Sequence, residues 1–381
     1  MAAPLRMLTV VGARPQIIKA AAISRAVAGT GTRIVQTLLH TGQHYDADMS
    51  QVFFDQMGVP RADIDLGAGS GPHGVQTARM IEGIENVLLR KEHDLVLLFG
   101  DTNSTLAGAV AAAKLHIPVA HVEAGLRSFN KAMPEEINRI VCDHCSTWLF
   151  CPTASAVENL AREGFDVRHI GTASVDVPQV LLTGDVMFDN SLHFAEMARE
   201  RSTLLADIGA VPGHFLLATV HRPVNTDDGQ RLAAIMEALC ELSVMHGVPV
   251  VLPMHPRTRK LADVLLPAPL KKRLFDSGEV KVIAPVGFLD MIALETDAQV
   301  VITDSGGVQK EAFFFRKPCV VLREETEWVE LVQHGQARLV GADPGAMIDA
   351  VSHYVNNGAP VCPDLYGDGH AADRICEALL H

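Results

Sequence analysis

The stretch DLVLLFGDTNSTLAGAVAAAKLHIPVAHV, residues 94–122, decides the fold. It opens on an apolar run, DLVLLF (94–99), turns through Gly100 and Asp101, enters an alanine-rich helical stretch and returns as a second apolar run, IPVAHV (117–122). Continuous apolar runs without polar alternation suit parallel strands covered on both faces. The same kind of run recurs as LTVV (8–11), TWLF (147–150), FLLATV (215–220), VPVVLPM (248–254), KVIA (281–284), VVIT (300–303) and KPCVVL (317–322). Helical stretches such as QIIKAAAISRAVA and DGQRLAAIMEALCELSVM lie between them. Strand and helix therefore alternate, which predicts α/β architecture with parallel sheets.

At 381 residues the chain exceeds the usual size of one hydrophobic core, so two domains are expected. The alternation breaks between about 170 and 213, which places the junction there. A net charge of -13 argues against nucleic-acid and anionic-membrane partners, which clustered Lys and Arg would have to hold. Seven scattered cysteines, an odd number, make no disulfide framework and fit a reducing cytosol. Cys142 and Cys145 in CDHC have metal-ligand spacing, but a second CxxC is missing and the segment reads as helix, so buried thiols and no metal are expected. LTVV runs straight into Gly, Arg and Pro, a first strand and turn rather than a signal peptide, and no run reaches membrane-spanning length. The expected location is the cytoplasm.

Ligands of open α/β sheets bind beyond the carboxyl ends of the strands. Six runs deliver polar residues there: Arg14, Asp101, Glu123, His221, His255, and Asp304 with Ser305. Each alone reads more readily as an ordinary loop residue; six in succession suggest one rim. HVEAGLRSFNKAMPEEINR (121–139) adds Glu135 and Glu136 just past an apolar strand.

TDSGGVQKEAFFF (303–315) reads as a strand end, a Gly pair and a helix start, where Ser305, Gly306 and Gly307 suit an anion or a plain N-cap. It is neither a Walker loop nor a GxGxxG fingerprint. GARPQIIK (12–19) sets Arg14 and Lys19 at another helix start, as a diphosphate clamp or a solvated turn. Asp101 in GDTNST is either a rim acid or a helix cap. His221 and His255, in TVHRPVN and PMHPRT, can hold a diphosphate or relay a proton.

GARPQIIK, TGQHYD, GDTNSTLAGA, HVEAGLRS, MPEEINR, HRPVNTD, HPRT, TDSGGVQKEA and YGDGHA, in this order, resemble the non-hydrolysing UDP-N-acetylglucosamine 2-epimerase family over essentially the whole chain. The resemblance implies a glycosyltransferase-B-like fold, two Rossmann-like domains facing across a cleft. Residues 1–185 would carry the sugar acid/base groups, with the last helix (about 366–381) packing back on them, and 186–365 would bind UDP. It implies departure of UDP from C1 with loss of the C2 proton, a glycal intermediate, and reversal with protonation on the opposite face, without cofactor. A C2 hydrogen not beside a carbonyl needs that departure to share the work, hence acid/base groups at the sugar and cations or amides at the diphosphate. By resemblance Asp101, Glu123 and Glu135 are the acid/base carboxylates and His221 assists at the leaving diphosphate. Arg14, Lys19, His255, Ser305, Gly306 and Gly307 hold the diphosphate and Glu311 the ribose hydroxyls. Arg139 pairs with a carboxylate or phosphate, and Gln43, His44 and Phe288 complete the substrate-binding set. Gln43 and His44 stand in the TGQH region through which some relatives are activated by substrate. A homodimer is also implied.

Two departures stand out. TEWVE (326–330) replaces the family's frequent TERPE, placing a bulky Trp328 where it bears on the choice of sugar, and 172–182 reads as an insertion. GARPQIIKA, VQKEAFFF and TEWVELV look most like the branch acting on UDP-2,3-diacetamido-2,3-dideoxyglucuronate for surface polysaccharide, with UDP-N-acetylglucosamine the runner-up. The rivals from other classes are a UDP-sugar glycosyltransferase of the same fold, which leaves the three carboxylates unexplained, a noncatalytic nucleotide-sugar sensor, and a nicotinamide-dependent epimerase.

Overall fold

The computed structural model describes residues 3–43, 61–358, 360–361 and 363–381. The chain divides into two compact units, Met1–Asn190 with Asp364–His381, and Ser191–Pro363. Among the described residues no helix is long and apolar enough to cross a membrane.

The first unit is built on β1 (Leu5–Val11), β2 (Ile34–His40), β3 (Ile64–Asp65), β4 (Leu95–Phe99), β5 (Val119–Val122), β6 (Trp148–Cys151) and β7 (Gln179–Leu182). They pair in parallel in the order β3-β2-β1-β4-β5-β6-β7. The second unit is built on β8 (Leu216–Thr219), β9 (Val250–Pro253), β10 (Val280–Ile283), β11 (Val300–Thr303), β12 (Cys319–Val321) and β13 (Ala337–Leu339), parallel in the order β10-β9-β8-β11-β12-β13. Both orders run outward from a first strand, reverse, and continue on the other side, which is the Rossmann-like arrangement. It leaves a crevice at the reversal, between β1 and β4 and again between β8 and β11.

The strands beside each reversal are the ones legible as unbroken apolar runs, because they are buried on both faces. Every residue of β4, β5, β8 and β11 is buried. The helix Asn103–Lys114 returns from β4 to β5 and packs its alanines close to the sheet, with Ala107, Ala109, Ala111 and Ala112 in the core. Truncating a core side chain here, such as Leu98, would cost roughly 2–5 kcal/mol.

Residues 172–182 do not form an insertion throughout. Gln179–Leu182 is the edge strand β7, in register with β6 from Trp148↔Gln179 to Cys151↔Leu182. Its pattern is mixed, with Val180 inward and Leu182 exposed, so no continuous apolar run marks it. The last helix, Ala371–Leu380, belongs to the first unit. Asp189 accepts the N–H groups of Ala371 (3.1 Å) and Ala372 (2.7 Å), placing a carboxylate at that helix N-terminus.

Candidate active site

In the first unit, Gln16 joins the loops after β1 and β4. Its side-chain oxygen accepts the N–H groups of Gly12 (2.9 Å) and Ala13 (3.2 Å), and its amide donates to the Phe99 carbonyl (2.8 Å) and Thr105 Oγ1 (3.0 Å). A Cβ on Gly12 would overlap Ser104 Oγ and Thr41 Oγ1, so only glycine lets the loops approach this far. Arg14 opens the helix Arg14–Gly29 with its side chain exposed. Lys19, one turn on, is no solvated cation: it is half-buried and its Nζ donates to Glu123 Oε2. Burial alone would lower the Lys19 pKa, but the Glu123 carboxylate outweighs it and raises it.

Glu123 follows β5 with φ 70°, a left-handed conformation that costs a non-glycine residue about 1–3 kcal/mol. Such strain persists only where surrounding contacts impose it, and functional sites are where it concentrates. Gly100, also left-handed at φ 59°, donates its N–H to the Val122 carbonyl at 3.0 Å. A Cβ on Gly100 would lie 3.1 Å from Glu123 Oε2, so the β4 and β5 turns are in contact.

Asp101 does not cap the following helix. Thr102 does, its hydroxyl accepting the Thr105 N–H at 3.3 Å. Asp101 Oδ2 instead accepts from Arg139 Nε (3.0 Å) and lies 2.9 Å from its Nη2, and Arg139 Nη1 donates to Glu136 Oε2 at 3.1 Å. The two acids of MPEEINR thus separate in role. Glu136 is buried and accepts the N–H groups of Ser128 (2.8 Å) and Phe129 (2.9 Å). Burial would push its pKa up, but those N–H groups and Arg139 hold it below the ordinary glutamate value. Glu135, exposed in the first turn of the helix Pro134–His144, lines a cavity of about 410 Å³ together with Asp101, Gln43, His73, Gln76 and Asn138. Gln43 Oε1 accepts from Ser104 N (3.0 Å) and Oγ (2.7 Å), and Asn138 donates to the Asp101 carbonyl at 2.8 Å. His44 lies outside the described residues.

In the second unit, buried Asp304 ties the turn after β8 to the end of β11. Its carboxylate accepts the N–H groups of His221 (3.1 Å) and Arg222 (3.0 Å) and the Asn225 amide (3.1 Å). The exposed His221 ring has Nδ1 3.3 Å from Asp304 Oδ1. Ser305 caps the helix Gly306–Phe314, its hydroxyl accepting the Val308 N–H at 3.5 Å. Trp328 does not hang over open space: its Nε1–H donates to the Gly306 carbonyl (2.8 Å) and its ring lies 4.5 Å from Lys310 Nζ. Thr326 joins the same turn by donating to Gln309 Oε1 at 2.6 Å. His255 caps the helix Pro256–Leu265, its Nδ1 accepting the Arg257 N–H at 3.2 Å, which leaves Nε2 to carry the ring proton of the neutral form. Phe288 opens the helix Phe288–Asp297 and meets Phe194 edge-on, 5.1 Å between centroids. Burial raises the Glu311 pKa against the pull of Lys310, and burial with Glu311 nearby raises that of Glu295 well above the ordinary value. Neither Glu295 oxygen has a hydrogen-bond partner among the described residues.

Gln16, Glu136, Asn225 and Glu295 carry much of this geometry; sequence reasoning noted Glu136 without giving it a role and passed over the other three. Gln16 and Glu136 stand beside residues it did select, and Asn225 lies within HRPVNTD. Glu295 leaves no local signal, because its neighbourhood is made by the tertiary fold.

Each unit is Rossmann-like and collects its polar groups at its own reversal of strand order, so the chain is an α/β protein with two Rossmann-like ligand-binding units. A family model described as UDP-N-acetylglucosamine 2-epimerase matches residues 29–380. The chain belongs to that family. It is 48% identical over 375 residues, 98% of this chain and 99% of the other, to UDP-2,3-diacetamido-2,3-dideoxy-D-glucuronate 2-epimerase of Pseudomonas aeruginosa. Among solved structures it is similar to UDP-GlcNAc 2-epimerase from Methanocaldococcus jannaschii, with TM-score 0.86, 37% identity, and coverage of 98% of this chain and 99% of that one. It is also similar to the Neisseria meningitidis UDP-GlcNAc 2-epimerase bound to UDP-GlcNAc, with TM-score 0.81, 28% identity, and coverage of 99% and 100%.

Proposed function

We propose that this chain is a non-hydrolysing UDP-sugar 2-epimerase that inverts C2 of UDP-2,3-diacetamido-2,3-dideoxyglucuronate, giving the manno epimer for surface polysaccharide. The C1–O bond to UDP breaks as the C2–H proton passes to a carboxylate, leaving a glycal and UDP. Return of UDP to C1 and of a proton to the opposite face of C2 completes the inversion. Asp101, Glu123 and Glu135 act as the acid/base groups, and His221 assists at the departing diphosphate. Arg14, Lys19, His255 and the Ser305–Gly307 turn hold that diphosphate, Glu311 the ribose, and Gln43, His44 and Phe288 the remainder of the substrate.

The observation that carries this reading is the pair of carboxylates at the first reversal, Glu123 against Lys19 and Asp101 against Arg139, beside the cavity that Asp101 shares with Glu135. A cation fixes each carboxylate in place at its strand end, the positioning that a general acid/base group needs. The name of the 48% identical relative supports the choice of sugar, and UDP-N-acetylglucosamine is the second substrate to test. The enzyme works as a cytoplasmic homodimer.

The test is turnover of both UDP-sugars in deuterium oxide with no acceptor present. The expected result is the C2 epimer carrying deuterium at C2, faster from the diacetamido-glucuronate. A sugar whose C2 stays protonated, with turnover appearing only when an acceptor is added, would make the chain a transferase.

A further inference from the structure

The apolar strand β5 carries one polar side chain, His121, and it is completely buried. Its Nε2 lies 2.8 Å from the Gly100 carbonyl and its Nδ1 lies 2.7 Å from Asp143 Oδ1. A carbonyl oxygen only accepts, so Nε2 bears a proton. Asp143 also receives Arg127 Nη1 at 2.7 Å and the Gly125 N–H at 3.1 Å, both donors to its second oxygen, which marks it as the carboxylate rather than the acid. Nδ1 therefore bears a proton as well. Arg127 in turn donates from Nε and Nη2 to the two oxygens of Glu163, each at 2.7 Å. The four charges of His121, Asp143, Arg127 and Glu163 alternate in sign and sum to zero.

The groups facing the ring are Asp143 and Cys142 from the helix Pro134–His144, and Gly100 from the end of β4. Burial by itself would lower the His121 pKa, but Cys142 and Asp143 raise it well above the ordinary histidine value. His121 and Asp143 each hold one of the turns that carry the acids. Gly100 precedes Asp101 and touches Glu123, while Gly125, left-handed like Glu123 two residues earlier, is held by Asp143.

We infer that His121 is a permanently charged positioning residue, an imidazolium bolted between the Gly100 carbonyl and Asp143, which with Arg127 locks the Asp101 and Glu123 turns in the geometry needed for proton transfer at C2. His121 touches no substrate and exchanges no proton in the cycle. The inference rests on the epimerase reading for its kinetic consequence, but not for the charge state. Held this way, the turns need no rearrangement when substrate binds, which is where misplacement by about an ångström costs on the order of 100-fold in rate.

Two measurements test it on the full chain. In protein labelled with nitrogen-15 at histidine, the His121 signals are assigned by their loss in His121→Gln. Both ring nitrogens should keep the protonated shift through the pH range, centred at about 6.5, in which a free imidazole loses its proton, read beside the signals of the exposed histidines. One unprotonated ring nitrogen, or titration with the exposed set, overturns the inference, and this arm needs no folded Asp143 variant. In the second arm, Asp143→Asn keeps the shape and removes the charge. The expected loss is about 100-fold in kcat, with KM and UDP affinity within about threefold of wild type. A kcat within about threefold of wild type in a folded Asp143→Asn protein overturns the positioning role. Wild-type protein inactive on both UDP-sugars would sink the epimerase reading and leave the charge-state result standing, so the two failures are distinguishable.

Discussion

The two rims are built on the same strand order yet present different chemistry. At the first reversal the groups are side chains of opposite charge in contact, Lys19 with Glu123 and Arg139 with both Asp101 and Glu136. At the second, the buried carboxylate of Asp304 is consumed by backbone N–H groups and Asn225, and what remains open is a capped helix start with a histidine turn beside it. Positioned carboxylates can serve as acid/base groups; a helix N-terminus can hold an anion but has no proton to trade. The difference teaches that one topology can serve both halves of an elimination, with the choice made by whether strand ends present carboxylates or backbone N–H groups beside histidines.

The division predicts that changes to the carboxylates of the first rim remove chemistry and spare nucleotide binding. Glu123→Gln is expected to slow deuterium incorporation at C2 by about 10²–10⁴-fold while UDP affinity, measured by calorimetry, stays within about threefold. Equal loss of both would erase the distinction between the rims.

A change on the second rim should do the reverse on a smaller scale. Trp328→Phe keeps an aromatic ring near Lys310 and removes the donor to the Gly306 carbonyl, a net loss of about 1 kcal/mol, or roughly fivefold in UDP dissociation constant. The exchange rate at saturating substrate should hold within about twofold. A drop in that rate with unchanged UDP affinity would instead place Trp328 at the sugar.

The smallest effect concerns stability of the second unit. The Glu295 pKa is raised in the folded protein, so the proton it holds there stabilises the fold fully below the ordinary glutamate range, and that contribution is lost as pH climbs toward the raised value. Glu295→Gln, which cannot ionise, should match wild type near about pH 4.5 and melt at least about 2–4 °C higher near about pH 8, since 1 kcal/mol corresponds to a shift of that size in a unit of this length. Parallel melting curves across that range would mean that Glu295 has a partner that keeps it charged.

Legibility followed burial. Strands covered on both faces, β4, β5, β8 and β11, announce themselves as apolar runs, whereas β2 mixes Gln36 and Thr37 into its middle and β7 and β13 alternate at or near an edge. A strand covered on one face has no need of a continuous run, so Gln179–Leu182 passed for an insertion. The site divided in the same way. Residues placed just after apolar runs were visible by position, but their pairing was not: Asp101 looked as much like a helix cap as an acid, and nothing local told Glu135 from Glu136.

By itself the order of residues determined the fold class, the family and the set of rim positions, because strand periodicity and turn chemistry are local and write themselves into neighbouring letters. Only the tertiary structure decided which charges meet. Lys19 and Glu123 stand 104 residues apart, and Glu295 and Glu311 lie on different helices; such neighbourhoods arise when strands are laid side by side, and a pKa or an ion pair depends on that distance and burial rather than on separation along the chain.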